Sequence, residues 1–233
     1  MREALGFLTV LGGPSVPHPR ALRWFPLVGA VVGALVGGLW WAAGEAFPVL
    51  LAAALAIAAD AGITGMLHLD GLADAADGLL SHAAPARRLE IMRTPGVGAY
   101  GIVATVIVLI ISVAALDARS PDIGLLVALW CASRTVAAVT PALVPYVRDE
   151  GIASPFLAAK ASVWPALALV PAAGLAVVTI GLEGLAAVAA TVLGASAVVG
   201  FARSRIGGFT GDVLGAAIAV GQTVGLVVAA ARW

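Results

Sequence analysis

Three aspartates lie at helical spacing within the run His68–Gly78. Asp70, Asp74 and Asp77 fall within roughly 60° of one another on one face, at about 100° per residue. Like charges at this spacing repel, and carboxylates near lipid face protein, water or a metal ion. Mg²⁺ takes hard oxygen ligands and often bridges carboxylates to substrate phosphates. The spacing predicts a Mg²⁺ site, and the alternative is a solvated acidic helix end that binds nothing.

The elements that must position these carboxylates are membrane-spanning helices. The chain is 61% hydrophobic and 11% charged, with a mean hydropathy of +1.05, which excludes an ordinary soluble domain. We expect an all-α, polytopic integral membrane bundle that forms a single domain over residues 1–233. Seven spans are predicted: Phe25–Ala43, Pro48–Leu67, Val97–Leu116, Ile123–Leu143, Val163–Leu182, Leu185–Ala202 and Val213–Ala231.

The net charge and the cysteine count argue against two further features, a nucleic-acid-binding surface and an intrachain disulfide. The formal net charge is zero, so no electrostatic argument for nucleic-acid binding arises. Cys131 is the single cysteine. It cannot form an intrachain disulfide, and its apolar surroundings favour a packing role.

The basic residues predict an orientation in the cell membrane. With the N-terminus in the cytoplasm, ten lie on the cytoplasmic side: Arg2, Arg20, Arg23, Arg87, Arg88, Arg93, Arg148, Lys160, Arg203 and Arg205. Arg119 and Arg232 lie outside, and Arg134 falls within the fourth span. The same orientation brings the aspartate cluster, the loop after Arg148 and the segment Arg203–Asp212 to one face. We therefore expect an active site between helices at the cytoplasmic face.

The cytoplasmic loop Pro85–Arg93 has two interpretations. Leu89 and Met92 share a helix face and arginines surround them, which is typical of a short helix on anionic lipid. Arginine is also the side chain best suited to bidentate phosphate contacts. The loop therefore either lies on the membrane surface or clamps a phosphate.

Five segments along the chain form a series. They are His68–Asp74 followed by Asp77-Gly78, then Leu89–Arg93, Ser133-Arg134, the group Tyr146, Arg148, Glu150 and Gly151, and Gly207–Ala216. In this order they resemble the cobalamin-5′-phosphate synthase family, also called adenosylcobinamide-GDP ribazoletransferase. The family's N-terminal Thr-Arg-Leu-Pro-like element has no counterpart at Thr9, and Arg20 and Arg23 are the candidates to replace its arginine.

The resemblance implies a late step of cobalamin assembly. Adenosylcobinamide-GDP and α-ribazole, or its 5′-phosphate, are joined and GMP leaves. Such phosphoryl transfer needs a metal to neutralise the diphosphate, and the implied ligands of Mg²⁺ are Asp70, Asp74 and Asp77. The implied catalytic residues are Asp74, Asp77 and Asp212, and the implied substrate-binding residues are Arg93, Arg134, Arg148, Gly208 and Gly211. The oligomeric state is left open, and a homo-oligomer is one alternative.

Two charged residues have competing interpretations. Arg134 needs a partner inside a span, and either a substrate phosphate or a structural carboxylate would serve; we favour the substrate. Glu150 is a candidate general base, although loop glutamates are usually solvated. Asp60, deeper in the second span, is interpreted as a polar packing contact.

Two other functions compete with this assignment. A CDP-alcohol phosphotransferase also combines clustered aspartates with Mg²⁺, but Asp77-Gly78 is followed by Leu79-Leu80-Ser81 rather than by that family's Ala-Arg. A transporter would use Asp60, Asp70 and Arg134 as a coupling site, but transporters often contain internal repeats, and the chain shows none.

Overall fold

The computed structural model describes residues 1–13, 18–148 and 161–232, and within these ranges the chain is helical. In chain order the α-helices are α1 (Arg2–Leu8), α2 (Phe25–Ala46), α3 (Val49–Ile63), α4 (Leu67–Leu80), α5 (Pro85–Ile91), α6 (Ala99–Asp117), α7 (Ile123–Leu143), α8 (Leu169–Ile180), α9 (Leu182–Ile206) and α10 (Gly211–Ala229). Short 3₁₀ helices at Pro19–Trp24 and Trp164–Ala168 lead into α2 and α8. An all-α membrane bundle is therefore confirmed.

The number of spans differs from the seven predicted. Five helices of the described chain are long and apolar enough to cross a bilayer: Pro19–Ala46, Ala99–Asp117, Ile123–Leu143, Leu182–Ile206 and Gly211–Ala230. The pair α3 and α4 makes a sixth if it is counted as one span, although the two helices meet at 87°. The predicted fifth span corresponds to the apolar but shorter helix Trp164–Ile180. Its length lowers the count from seven to six, and the bend between α3 and α4 lowers it to five if that pair is not counted as a span.

The predicted second span, Pro48–Leu67, is not one straight helix. α3 ends at Ile63, where the hydroxyl of Thr64 donates to the carbonyl of Asp60 at 2.7 Å. Gly65 and Met66 then both adopt left-handed backbone conformations, with φ of 59° and 60°. Glycine takes this conformation freely, whereas a residue with a Cβ is strained in it. The break gives the aspartate cluster a helix of its own rather than the end of a long span.

Small residues allow α2 and α7 to approach closely. A Cβ built on Gly33 would lie 2.5 Å from the carbonyl oxygen of Leu126, and one on Gly29 would overlap the carbonyl of Trp130. On the other side of the bundle, Gly71 of α4 lies against α10 in the same way, since its Cβ would lie 2.9 Å from the carbonyl oxygen of Asp212. The second contact places the aspartate face of α4 beside the start of α10.

Two segments that are distant in sequence are joined at one end of the bundle. Phe209 donates its N–H to the carbonyl of Pro145 at 3.0 Å, and Val147 donates to the carbonyl of Phe209 at 3.1 Å. The rings of Tyr146 and Phe209 meet edge to face, with 5.3 Å between centroids. The chain that follows α7 is thereby fixed against the chain that precedes α10.

Candidate active site

A cleft that is lined in part by carboxylates lies at this end of the bundle. Its volume, including the part open to solvent, is about 780 Å³, and Asp70, Arg148 and Asp212 are among its lining residues. These three side chains come from α4, from the segment after α7 and from the first turn of α10. Apolar side chains form much of the remaining wall: Phe7, Leu8, Leu22, Phe25, Leu214 and Ile218. We call this feature the acidic cleft.

Asp212 and Arg148 form an ion pair in the acidic cleft. Their closest atoms, Arg148 Nη2 and Asp212 Oδ2, are 2.7 Å apart, and the two side chains are 9% and 18% exposed. Thr210 begins α10 by accepting a hydrogen bond from the N–H of Val213 at 3.3 Å, which fixes Asp212 in the first turn, where the helix dipole favours a carboxylate. The Nε atom of Arg148 is buried without a partner in the described chain, so the guanidinium has a donor to spare.

Asp74 completes the acidic group one turn after Asp70. It is half-buried and lies within electrostatic range of Asp70, Asp77 and Asp212, with Arg148 as the opposing charge. The structure therefore brings Asp70, Asp74 and Asp212 together. Three like charges opposed by one arginine leave a local excess of negative charge that a cation would offset.

Among the described residues, no three acidic, histidine or cysteine side chains are arranged closely enough to hold a metal ion by themselves. Mg²⁺ sites in enzymes of phosphorylated substrates commonly use one or two carboxylates and complete the shell with water and substrate phosphates. The oxygen donors and the excess negative charge of the acidic cleft fit a site of that kind. They do not form a complete protein cage.

Asp77 has protein partners of its own. Its Oδ2 atom accepts the N–H of Gly98 at 2.6 Å and its Oδ1 atom accepts the N–H of Gly101 at 2.9 Å. Gly98 is the N-cap of α6, which has no side-chain cap from its own segment. The carboxylate of Asp77 therefore caps α6 from a neighbouring helix, and this contact turns it toward α6.

Arg134 lies in the core of the bundle, 1% exposed, and does not line the acidic cleft. Its Nη1 atom is 3.2 Å from the hydroxyl of Ser133, and Asp60 of α3 interacts with it electrostatically as an opposite charge. The indole of Trp130 donates to Asp60 at 2.7 Å. With its amide oriented to satisfy both donors, Gln222 of α10 accepts from Arg134 and from Trp130. These surroundings favour the structural alternative over the substrate contact that we favoured from the sequence.

The other predicted substrate-binding residues differ in position. Gly211 lines the acidic cleft. Gly208 is buried against the carbonyl of Pro145, which a Cβ at this position would overlap, so its place in the structure is a packing contact. Arg93 is exposed and close enough to Tyr146 to influence its hydroxyl electrostatically. Glu150 and Gly151 lie outside the described residues.

Tyr146 is a polar group of this region that the sequence reasoning named but gave no role. Its hydroxyl is buried without a hydrogen-bond partner in the described chain. Burial raises the pKa of the phenol, and the neighbouring Asp212 raises it further, while Arg148 and Arg93 oppose that shift. The hydroxyl is therefore a neutral donor beside the ion pair. Its position two residues before Arg148 was the only signal available.

Two arginines hold the C-terminal end of α4. Arg88 of α5 is buried and donates to the carbonyl of Gly78 at 3.1 Å, and Arg205 of α9 donates to the carbonyls of Leu79 and Ser81, each at 3.2 Å. Cations at a helix C-terminus satisfy its last carbonyls and oppose the helix dipole. Burial and the nearby Arg205 lower the pKa of Arg88. Arg88 is thus engaged with α4 rather than free to clamp a phosphate.

The fold and the site together define a multi-pass membrane helical bundle with an acidic, arginine-balanced cleft at one end. The sequence profile of the cobalamin-5-phosphate synthase family matches residues 1–230. Two similar proteins are the adenosylcobinamide-GDP ribazoletransferases of Escherichia coli O17:K52:H18 (strain UMN026 / ExPEC) and Shigella boydii serotype 4 (strain Sb227). Each is 34% identical over 215 residues, which cover 90% of this chain and 87% of the relative.

The chain belongs to the cobalamin-5-phosphate synthase family. It is accordingly an enzyme, a transferase of cobalamin biosynthesis, and membership argues against the CDP-alcohol phosphotransferase and the transporter. A third relative, the adenosylcobinamide-GDP ribazoletransferase of Shigella dysenteriae serotype 1 (strain Sd197), is 33% identical over the same shares of the two chains. No solved structure matches the fold.

Proposed function

We propose that the chain transfers the adenosylcobinamide phosphate group of adenosylcobinamide-GDP to α-ribazole, or to its 5′-phosphate, and releases GMP. The observation that carries the proposal is the meeting of Asp70, Arg148 and Asp212 in one cleft from three elements that are distant in sequence. The relatives are named for this reaction. Carboxylates and an arginine in an otherwise largely apolar cleft are suited to a phosphorylated substrate with a large organic group.

The reaction exchanges one phosphorus–oxygen bond for another. A ribose hydroxyl oxygen of the acceptor bonds to the phosphorus that carries the cobinamide, and the bridging bond of the diphosphate breaks. GMP leaves with the electron pair of that bond, and the hydroxyl proton passes to a base or to water. Catalysis of such a step consists mainly of alignment and of stabilising the charge on the leaving group.

The carboxylates of the acidic cleft are assigned to metal binding. Asp70 and Asp74 would hold Mg²⁺ together with substrate phosphate oxygens, and Asp212 would complete the shell or orient the acceptor hydroxyl. The metal supplies positive charge opposite the diphosphate. Asp77 keeps α6 against α4 through its two hydrogen bonds and retains one lone pair on each oxygen for a cation.

The neighbouring cations are assigned to the diphosphate. The Nε donor of Arg148 has no partner among the described residues and lies beside the ion pair with Asp212. An arginine can bind phosphate through two parallel hydrogen bonds. Arg93, exposed and near Tyr146, adds a positive charge, and Gly211 allows the backbone at the start of α10 to approach a phosphate. The bias of the arginines supports a cytoplasmic location for this end of the bundle, in the cell inner membrane.

The test is Asp74→Asn in purified protein, with Asp117→Asn as the matched control. Asp117 is exposed at the last residue of α6, at the opposite end of that helix from its contact with Asp77. We expect Asp74→Asn to melt within about 2 °C of the wild type, because no hydrogen bond is lost. GMP release from adenosylcobinamide-GDP should fall at least about a hundredfold at saturating Mg²⁺, and the control should keep full activity.

Near wild-type turnover by Asp74→Asn would remove this carboxylate from the mechanism. A Mg²⁺ titration of the wild type separates the metal from the reaction. If GMP release persists in excess EDTA, the transfer assignment stands and the metal assignment is wrong.

A further inference from the structure

Two surface depressions meet at the start of α2. The first is an apolar groove of about 850 Å³ of non-atom space between α2, α7 and the 3₁₀ helix that leads into α8. The second is a polar pocket of about 660 Å³ between α1 and the 3₁₀ helix Pro19–Trp24. Arg23 and Trp24 line both. The two depressions therefore form one continuous feature, apolar along the bundle and polar at its end.

The groove is apolar because its walls carry short or rigid side chains. Ala30, Ala168 and Ala172 leave the space between the helices unfilled, and Pro165 and Pro171 lie beside them. Trp164 stands at the rim with 74% of its surface exposed. In a multi-pass membrane protein, such a groove faces hydrocarbon chains, and tryptophan is enriched at the level of the lipid headgroups.

The pocket at the end of the groove is strongly basic. Its charged side chains are Arg2, Arg20 and Arg23, with Glu3 as the carboxylate among the lining residues. Arg23 lies 5.4 Å from the centroid of the Trp24 ring. None of the three arginines forms an ion pair in the part of the chain that the structure describes. Neither Arg20 nor Arg23 lines the acidic cleft, so these cations are separate from the chemistry described above.

We propose that the groove and the pocket together bind one anionic phospholipid. An acyl chain occupies the groove, and the headgroup phosphate is held by Arg20 and Arg23 at the level of Trp24 and Trp164. Basic pockets beside membrane helices select anionic headgroups, and guanidinium groups bind phosphate through paired hydrogen bonds. The continuity of the groove with the pocket is the reason to assign a lipid rather than a free phosphate.

The site has a structural connection to the acidic cleft. Leu22 and Phe25 line the wall of the cleft, and they flank Arg23 and Trp24 in the 3₁₀ helix and the first turn of α2. A lipid that orders Arg23 and Trp24 therefore also stabilises this wall. Anionic lipid should raise the thermal stability of the protein by this route.

The test uses purified protein in nanodiscs of phosphatidylcholine, with and without phosphatidylglycerol, and native mass spectrometry of the same protein in detergent. We expect about one retained phosphatidylglycerol per chain and a higher melting temperature in its presence. In the double variant Arg20→Gln/Arg23→Gln the affinity should fall about thirtyfold, because each arginine near an anionic surface contributes about a factor of five. Arg87→Gln is the matched control, since Arg87 is exposed and paired with Glu90 at 2.8 Å.

Two further arms keep the result decisive. Ala168→Leu fills the groove without touching the arginines and should also abolish phosphatidylglycerol retention, even if the double variant folds poorly. Inorganic phosphate at millimolar concentration should leave the melting temperature unchanged. Retention of phosphatidylglycerol by both variants would overturn the proposal, and an equal melting shift with inorganic phosphate would overturn the assignment to lipid.

Discussion

Asp77→Asn separates the two roles that the sequence and the structure give to this residue. The spacing with Asp70 and Asp74 predicts a metal ligand, whereas its oxygens are 2.6 Å and 2.9 Å from the N–H groups of Gly98 and Gly101. Asparagine keeps the shape of the side chain. It offers one oxygen in place of two, so an NH₂ group faces one of the two backbone donors.

The cost follows from these two contacts. A hydrogen bond to a charged group contributes about 1.5–3 kcal/mol, and a buried donor left without a partner costs about 1–3 kcal/mol. Asp77 is 9% exposed, so water replaces the lost contact poorly. We expect a loss of about 3 kcal/mol in the free energy of unfolding. For a chain of this length that lowers the melting temperature by about 6–12 °C.

The assay is thermal unfolding of the purified variant in detergent, measured beside Asp74→Asn, whose side chain caps no helix. The separate variant Gly98→Ala gives an independent check. Its Cβ would lie 2.6 Å from Asp77 Oδ1 and would disrupt the same contact from the α6 side. The reasoning fails if Asp77→Asn melts like the wild type while GMP release is lost. In that case Asp77 acts on metal or substrate, and its contact with α6 contributes little.

Two other predictions follow from the core and from the arginine bias. Arg134→Lys should lower the melting temperature by about 4–8 °C, because it loses hydrogen bonds worth about 2 kcal/mol. The Michaelis constant for adenosylcobinamide-GDP should stay unchanged. An unchanged melting temperature with a raised Michaelis constant would instead support the interpretation that Arg134 binds substrate. For orientation, cysteines introduced at Ser81 and at Ser154, which lies outside the described residues, should resist an impermeant thiol reagent in intact cells. Ser120→Cys, at the other end of the bundle, should react, and labelling of Ser81→Cys from outside contradicts the predicted orientation.

The sequence was sufficient to predict the class of fold and the end of the bundle where charged groups gather. Long apolar runs require helices in a membrane, and the arginine bias brings the charged segments to one face. The break between α3 and α4 was missed because it depends on a left-handed Met66, a conformation that no residue type except glycine and, less often, asparagine or aspartate signals. A straight span was therefore the natural expectation from hydropathy.

The positions of individual side chains could be predicted only where both partners lie on one element. Asp70, Asp74 and Asp77 share a helix face, as the spacing indicates, but that face borders two neighbours. Asp212 of α10 lies beside the first two, and the N-terminus of α6 binds the third. When two helices flank one face of α4, different side chains of that face contact different neighbours. Helical periodicity predicts which side chains share a face, but it does not predict which helices pack against that face.

The same dependence on tertiary contacts explains how a short helix holds a charged site in place. α4 begins directly after the bend at Gly65 and Met66, so α3 does not continue into it and does not fix its direction. Its position depends on lateral contacts: Gly71 against α10, Asp77 against α6, and Arg88 with Arg205 at its last carbonyls. Arg88 and Arg205, two of the arginines predicted on the cytoplasmic side, therefore bind backbone carbonyls rather than substrate. Of the cluster, Asp70 lines the acidic cleft with Asp212, and Asp74 lies within electrostatic range of both. A metal ion that binds a diphosphate would offset the negative charge that these contacts bring together.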